Sequence, residues 1–288
     1  LLSAFSYALK STMEILISGA STGIGKASAV HLARKGHSVW AGVRSQKSFD
    51  EITKANVQGL RPVFLDVCDE KSIVACLSQI KKTSGNLHAL VNNAGIAVGG
   101  PVEGVSLEDW RRQFETNVFG QVRVIQECLP LLRESKGRIV NISSIAGKVS
   151  SPFMAPYSAS KFAFEAISDS LRRELVSHGV KVAIIEPGPI ATPIWEKSQT
   201  EGMKKIDAYG PVLKQVYGTA MQSFDKEIKS AVKRAAPVAV VVKAIEHALT
   251  SRTPKIRYPV GRGISTAIVA ASTLPDSWMD KIITGRMV

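Results

Sequence analysis

A chain of 288 residues with 45% hydrophobic content can bury a substantial core as one domain of α/β size. Its three cysteines, Cys68, Cys76 and Cys128, are an odd number without metal-ligand spacing; they make no disulfide framework and suit a reducing, cytoplasmic setting. The net charge of +13 is spread along the chain without an arginine-rich tract or interleaved aromatics, which points to anionic small ligands or a membrane surface and not to nucleic acid.

Residues 1–12, "LLSAFSYALKST", lack an initiator Met and an alanine-type cleavage site and precede Met13. They are set apart as an N-terminal extension, with one domain expected over 13–260 and a C-terminal tail over 261–288. The domain opens with "EILI", a short apolar run of strand type, followed by "SGASTGIG" and then "KASAVHLARKG", whose apolar residues have helical spacing up to Gly36. Between strand and helix, Gly19 can take the φ that a sharp reversal needs, and Gly23 and Gly25 leave room for a ligand against the backbone. The helix start then offers unpaired N–H groups and a positive dipole end to a phosphate. The spacing is G-x-x-x-G-x-G and not the commoner G-x-G-x-x-G; taken alone, it is equally well a plain glycine turn.

Strand and helix patterns alternate from there. "SVWAGV" and "PVFLDV" read as strands separated by a polar helix. A helix over about 70–83 leads to the strand "ALVNNAG", and a long helical stretch over about 106–133 leads to "GRIVNIS". Another helix over about 157–177 ends at Gly179 and gives way to "KVAIIEPG". After a long irregular segment, "VAVVVKAIEHAL" reads as a helix and "KIRYPV" as a last strand. Apolar strands alternating with helices predict an α/β fold, a doubly wound parallel sheet of about seven strands covered on both faces. Ligands then bind at the C-terminal strand ends.

Those ends carry polar residues: Asn92, Asn93 and Gly95 in "LVNNAG", Ser143 and Ser144 in "NISS", and the closing "EPGPIATP". In "YSASK", Tyr157 and Lys161 stand four apart on one helix face. The ordered set Gly19-x-x-x-Gly23-x-Gly25, Asn92-Asn93-Ala94-Gly95, Ser144, Tyr157-x-x-x-Lys161 and Pro187-Gly188 resembles the short-chain dehydrogenase/reductase family, from Glu14 to about Val260. A lone Tyr-x-x-x-Lys is weak; Ser144 thirteen residues before Tyr157 makes the set specific.

The resemblance implies a single-domain, Rossmann-like oxidoreductase that moves hydride between NAD(P)(H) and a secondary alcohol or ketone, without a metal. It makes Tyr157 the general acid/base. A phenol titrates near ~10, and Lys161, with an oxidised nicotinamide beside it, is expected to lower that value. The matching lysine also bonds the nicotinamide ribose. Ser144 would steady the substrate oxygen, and Asn117 in "ETNVFG" matches an asparagine that holds a helix kink and a water in the proton path. Gly19, Ser21, Thr22, Gly23, Ile24 and Gly25 would cradle the pyrophosphate, with Asp66 and Val67 on the adenine side. Asn93, Ala94 and Gly95 would line the nicotinamide side, and Pro187, Gly188, Ile190 and Thr192 would fix the carboxamide. Val43 stands where NAD-preferring relatives place an acid, and Arg44 after it suits a 2′-phosphate, so NADP(H) is favoured over NAD(H). Thr22 stands where many NADP-preferring relatives carry a second basic residue.

The segment 189–237 is far longer than an ordinary connection. Ile194, Trp195, Met203, Tyr209, Val212, Leu213, Val216, Tyr217, Met221 and Phe224, interleaved with Lys and Glu, suit one or two amphipathic helices with an apolar underside. Such a lid fits a bulky lipophilic substrate. With "TPKIRYPVG", it resembles the branch that includes hydroxysteroid, retinol and 3-hydroxybutyrate dehydrogenases. A small hydroxy or keto acid is the alternative, and Lys197, Lys204 or Lys205 would then supply its cation. A catalytically idle dinucleotide sensor is the alternative of another class. The family implies a homodimer or homotetramer paired through the two long helices. The basic, apolar "GRGISTAIVAAS" suits weak membrane-surface contact, although no apolar run reaches the roughly 20 residues of a spanning helix.

Overall fold

In this computed structural model, residues 12–192 and 210–285 are described. Seven strands form one sheet: β1 (Glu14–Ile17), β2 (Ser38–Val43), β3 (Leu60–Phe64), β4 (Ala89–Asn92), β5 (Arg138–Ile142), β6 (Lys181–Pro187) and β7 (Arg257–Val260). Their order is β3-β2-β1-β4-β5-β6-β7, and every pairing is parallel. The chain winds outward from β1 to β3 and returns to β4 on the other side of β1. That reversal opens a crevice between β1 and β4 at their C-terminal ends.

The apolar runs are unbroken because both faces of the sheet are covered. Ile15 and Ile17 pack with Val39 and Ala41 on one face, under α1 (Gly23–Arg34) and the helix Val238–Thr250. Leu16 and Trp40 point to the other face, with α3 (Glu70–Ser84), α5 (Gly120–Glu134) and α6 (Ala155–Glu174). Two further helices, α2 (Gln46–Lys54) and α4 (Leu107–Phe114), complete the layers that bear on the crevice.

Three details depart from the sequence expectations. The stretch 106–133 is not one regular helix: α4 and α5 are joined by a π turn, Glu115–Phe119, centred on Asn117. Helix α6 starts at Ala155 and ends at Glu174, and the short 3-10 turn Val176–His178 finishes the segment. Within 189–237, the described residues hold one helix, Pro211–Lys233, and a bridge between Ile190 and Ala236. The helix turns Met221 inward but leaves Val212 and Val216 in solvent, so these two do not belong to its apolar underside. Apolar residues cover more than half of this helix's circumference, and only tertiary contact decides which of them face inward. Ile194, Trp195, Met203 and Tyr209, the three lysines Lys197, Lys204 and Lys205, and residues 1–11 lie outside the described residues. The tail forms two short helices, Ile264–Thr273 and Asp276–Thr284. Among the described residues, no helix is long and apolar enough to cross a membrane.

Candidate active site

The crevice is a cleft of about 750 Å³, lined from the ends of β1 to β6. Its floor is the glycine turn. Gly19 sits at φ +65°, and a Cβ there would fall 2.7 Å from Ala94 Cα. A Cβ on Gly25 would fall 2.6 Å from Asn93 Nδ2. Gly19 is therefore fixed by backbone shape and by close approach, and Gly25, inside α1, by close approach alone. Thr22 stands at the start of α1 without a side-chain cap, and the first turn holds no acid. Thr22, Gly23 and Ile24 line the cleft, so the uncapped N-terminus of α1 opens into it. A backbone cradle of this kind fits the pyrophosphate of a dinucleotide.

The segment Asn93–Ala97 forms the opposite wall, and its backbone is held from three directions. Ser18 Oγ accepts from Asn93 N at 2.9 Å and from Ala94 N at 3.0 Å. Asn117 Oδ1 accepts from Ile96 N at 2.9 Å while its Nδ2 donates to Ile96 O at 2.9 Å. Gln113 Oε1 accepts from Val98 N at 2.7 Å, and Gln121 Nε2 donates to the Ala94 carbonyl. Sequence reasoning singled out Asn117 and missed Gln113, Gln121 and Ser18. A signal was present: residues 113, 117 and 121 are polar at four-residue spacing and share one helix face. The π turn at Asn117 is where that face swings towards the loop.

At the inner end lie Ser144, Tyr157 and Lys161, all buried. Ser144 lies two residues past β5 and caps a 3-10 turn; its Oγ accepts from Ala146 N at 3.1 Å and donates to Pro187 O at 3.4 Å. Tyr157 lies in the first turn of α6, and one turn later Lys161 Nζ donates to Ile142 O at 2.8 Å. The ammonium is 5.9 Å from the centre of the Tyr157 ring. Burial pushes the Tyr157 phenol up, and a hydrogen bond with Ser144 pulls it partly back. Lys161 is lowered to about 8 by burial, against the opposing pull of Glu165. Lys161 is not among the causes of the Tyr157 shift, and the expected lowering calls for an oxidised nicotinamide beside the phenol as well. The lysine is itself desolvated and spends its hydrogen bond on a backbone carbonyl. Ser143 also lines the cleft, with its Oγ buried and without a hydrogen-bond partner.

Most of the remaining sequence candidates line the same cleft: Ser21, Arg44, Val67, Asn93, Ala94, Gly95, Pro187, Gly188, Ile190 and Thr192. Two do not. Gly25 lies behind the turn, packed on Gly19 and Asn93. Asp66 follows β3, but its Oδ1 accepts from Cys68 N at 2.9 Å, so the carboxylate ties its own loop. Val67 and Cys68 face the cleft instead. Ser45 and Ser48 were not anticipated; they stand beside Arg44 at the start of α2 and line the same end. Among the described residues, no group of three or more His, Cys, Asp or Glu could hold a metal ion.

A doubly wound sheet that opens such a cleft beside a buried serine, tyrosine and lysine is the architecture of nicotinamide-dependent oxidoreductases. Within that class, residues 14–202 match the family described as short chain dehydrogenase, and the chain belongs to this family. It is 36% identical to the NADPH-dependent 3-dehydrocapnine reductase of Ornithobacterium rhinotracheale, over 93% of this chain and 94% of that protein. It is 37% identical to retinol dehydrogenase 7 of Rattus norvegicus, over 93% of this chain and 87% of the relative. Mitochondrial D-beta-hydroxybutyrate dehydrogenase of Mus musculus is also 37% identical, over 85% and 75% respectively. A crystal structure of a short-chain dehydrogenase from Streptomyces avermitilis superposes with a TM-score of 0.75 at 28% identity, covering 94% of this chain and 95% of that one.

Proposed function

We propose that the protein interconverts a secondary alcohol and a ketone on a lipophilic, steroid- or retinoid-like substrate, with NADP(H) favoured over NAD(H). The observation that carries the reading is the buried constellation of Ser144, Tyr157 and Lys161 at the inner end of a cleft shaped for a dinucleotide. The reduced nicotinamide, when bound, supplies the hydride. The chain's own residues handle the oxygen. Tyr157 donates its phenolic proton to the forming alkoxide, and Ser144 Oγ hydrogen-bonds that oxygen as charge grows on it. Lys161 stabilises the phenolate left behind and holds the ribose; Asn117 holds the loop at Ile96 and a water in the proton path. Oxidation of the alcohol runs the same proton path backwards.

Arg44, Ser45 and Ser48 together supply a guanidinium and two hydroxyls where no acid stands, which suits a 2′-phosphate. The turn from Gly19 to Ile24 holds the pyrophosphate, Val67 the adenine, Asn93 to Gly95 the nicotinamide, and Pro187 to Thr192 the carboxamide. Phe119 and Phe162, exposed on the π turn before α5 and on α6, suit a pairing face in a homo-oligomer.

A small hydroxy acid is the second reading, supported by the likeness to D-beta-hydroxybutyrate dehydrogenase. A substrate panel followed by NADPH absorbance separates the two. Higher kcat/KM for steroid- or retinoid-sized compounds supports the first, and a clear preference for 3-hydroxybutyrate overturns it.

A further inference from the structure

Phe153 stands at φ +61°, in the left-handed region that non-glycine residues rarely occupy. It is held there from outside. Its carbonyl accepts from Gly100 N at 2.8 Å, and a Cβ on Gly99 would come within 3.2 Å of the same oxygen. From this backbone the Phe153 ring reaches across to the helix Pro211–Lys233. Its centre is 5.6 Å from that of Phe224 and 6.4 Å from that of Tyr217. Phe224 also packs against the small apolar cluster formed by Ala97, Met154 and Tyr157. Two turns earlier on the same face, Tyr217 ties the helix down: its hydroxyl donates to Glu103 Oε2 at 2.9 Å. Three segments distant in sequence therefore meet beside the phenol, and aromatic rings join them.

Neither Phe153 nor Phe224 is fully buried, so the pair is not core in the sense of the sheet faces. An aromatic held in an uncommon backbone conformation invites a functional reading, because the fold must over-determine it for it to persist. We propose that the Phe153–Phe224 pair is the specificity-determining wall of the substrate site. It selects substrates whose carbonyl belongs to, or adjoins, a flat apolar ring system. The proposal rests on the lipophilic-substrate reading above and deepens it. An apolar ring system can stack on or meet edge-on the faces that the two phenyl rings present. A short hydroxy acid would instead bring a carboxylate against apolar rings that cannot pair it. Glu103, held at the edge of this wall by Tyr217, adds an anion that repels such a carboxylate.

The test compares 5α-dihydrotestosterone, a fused-ring ketone, with cyclohexanone, a small one, in the wild type, Phe153→Asn and Phe224→Ala. Asn tolerates the left-handed backbone and removes the ring. Thermal unfolding and NADPH fluorescence report whether each variant is folded and binds coenzyme. The expected result is a fall of about tenfold or more in kcat/KM for the steroid in both variants, with cyclohexanone changed less than about twofold. Equal losses on both substrates would mean a merely structural role and overturn the wall. So would unchanged steroid kinetics in both variants while the wild type still prefers the steroid; in that case the lipophilic reading survives and only the wall fails. A wild type without steroid preference removes both. If one variant does not fold, the other decides.

Discussion

Lys161 Nζ donates to the carbonyl oxygen of Ile142 at 2.8 Å, tying the side chain of α6 to the end of β5. That bond fixes an ammonium one helical turn from Tyr157 and behind the strand end that carries Ser144. The arrangement leads to the first two predictions.

Replacing Tyr157 with Phe removes the transferable proton and leaves the packing against Ala97 and Met154 nearly unchanged. Turnover should fall roughly 10²-fold or more while NADPH fluorescence still reports binding. A variant that turns over at a near-normal rate removes Tyr157 from the assigned role.

The second prediction concerns pH. Lys161, lowered to about 8 by burial, is charged below that pH and neutral above it. The kcat/KM for NADPH, which reports the free enzyme, should therefore decline as pH rises through about 8. Stability runs the other way. Between about 8 and the ordinary lysine value, the unfolded chain binds a proton that the folded protein has released, so folding strengthens with rising pH. Unfolding midpoints measured across this range should show the gain in the wild type and not in Lys161→Met. Parallel curves for the two proteins would refute it.

Much of this site was legible in the sequence because its geometry is local. Tyr157 and Lys161 lie four apart on one helix, and the glycine turn follows a strand and precedes a helix, so spacing alone brings the right groups together. What the sequence hid depends on tertiary contact. "ETNVFG" keeps a helical character, and the π turn there accompanies a tertiary bond, that of Asn117 to the backbone of Ile96. The position of Asp66 just past β3 says where its backbone lies, but the carboxylate turns to Cys68 N and leaves the cleft to its neighbours. Asn93, expected at the nicotinamide, also spends its side-chain amide on the carbonyls of Ser18 and Gly19, bracing the turn from behind.

Arg44 gives the third prediction. With Ser45 and Ser48 it lines one end of the cleft, where Val43 leaves no acid to meet a ribose hydroxyl. Arg44→Asp removes a cation and adds an anion, so the kcat/KM for NADPH should drop about tenfold to a hundredfold while that for NADH holds or rises. Steady-state kinetics with both coenzymes on one preparation check this. Unchanged NADPH kinetics would place the phosphate elsewhere.

The last prediction concerns a charge cluster behind the site. Arg257 on β7 donates through Nη2 to Glu165 Oε2 at 3.1 Å and to Asp169 Oδ2 at 2.8 Å, and its Nε lies 3.2 Å from Glu186 Oε1. Lys148 approaches Glu165 at 2.9 Å and Glu186 at 3.7 Å from the loop after β5, and Arg172 approaches Asp169 at 3.6 Å. The cluster joins α6, which carries Tyr157 and Lys161, to β6 just before Pro187 and Gly188. Glu165 and Glu186 are buried, so a missing cation cannot be replaced by water. Arg257→Met should cost about 3 kcal/mol at neutral pH. The pH dependence of that cost has a definite sign. In the wild type, Arg257 and its neighbours hold Asp169 below the ordinary carboxylate value. That contribution is present above the unfolded-state pKa and is lost as pH falls. Burial already raises Glu186, with Arg257 and Lys148 opposing the rise. Without Arg257 it rises further, so the folded variant takes up a proton more readily than its unfolded chain and gains stability as pH falls. The gap between wild type and variant should therefore narrow from neutral pH towards about pH 4.5, near the ordinary carboxylate range. Urea unfolding of both proteins at the two pH values measures it, and a gap of equal size at both would show that the loss is one of packing and not of charge.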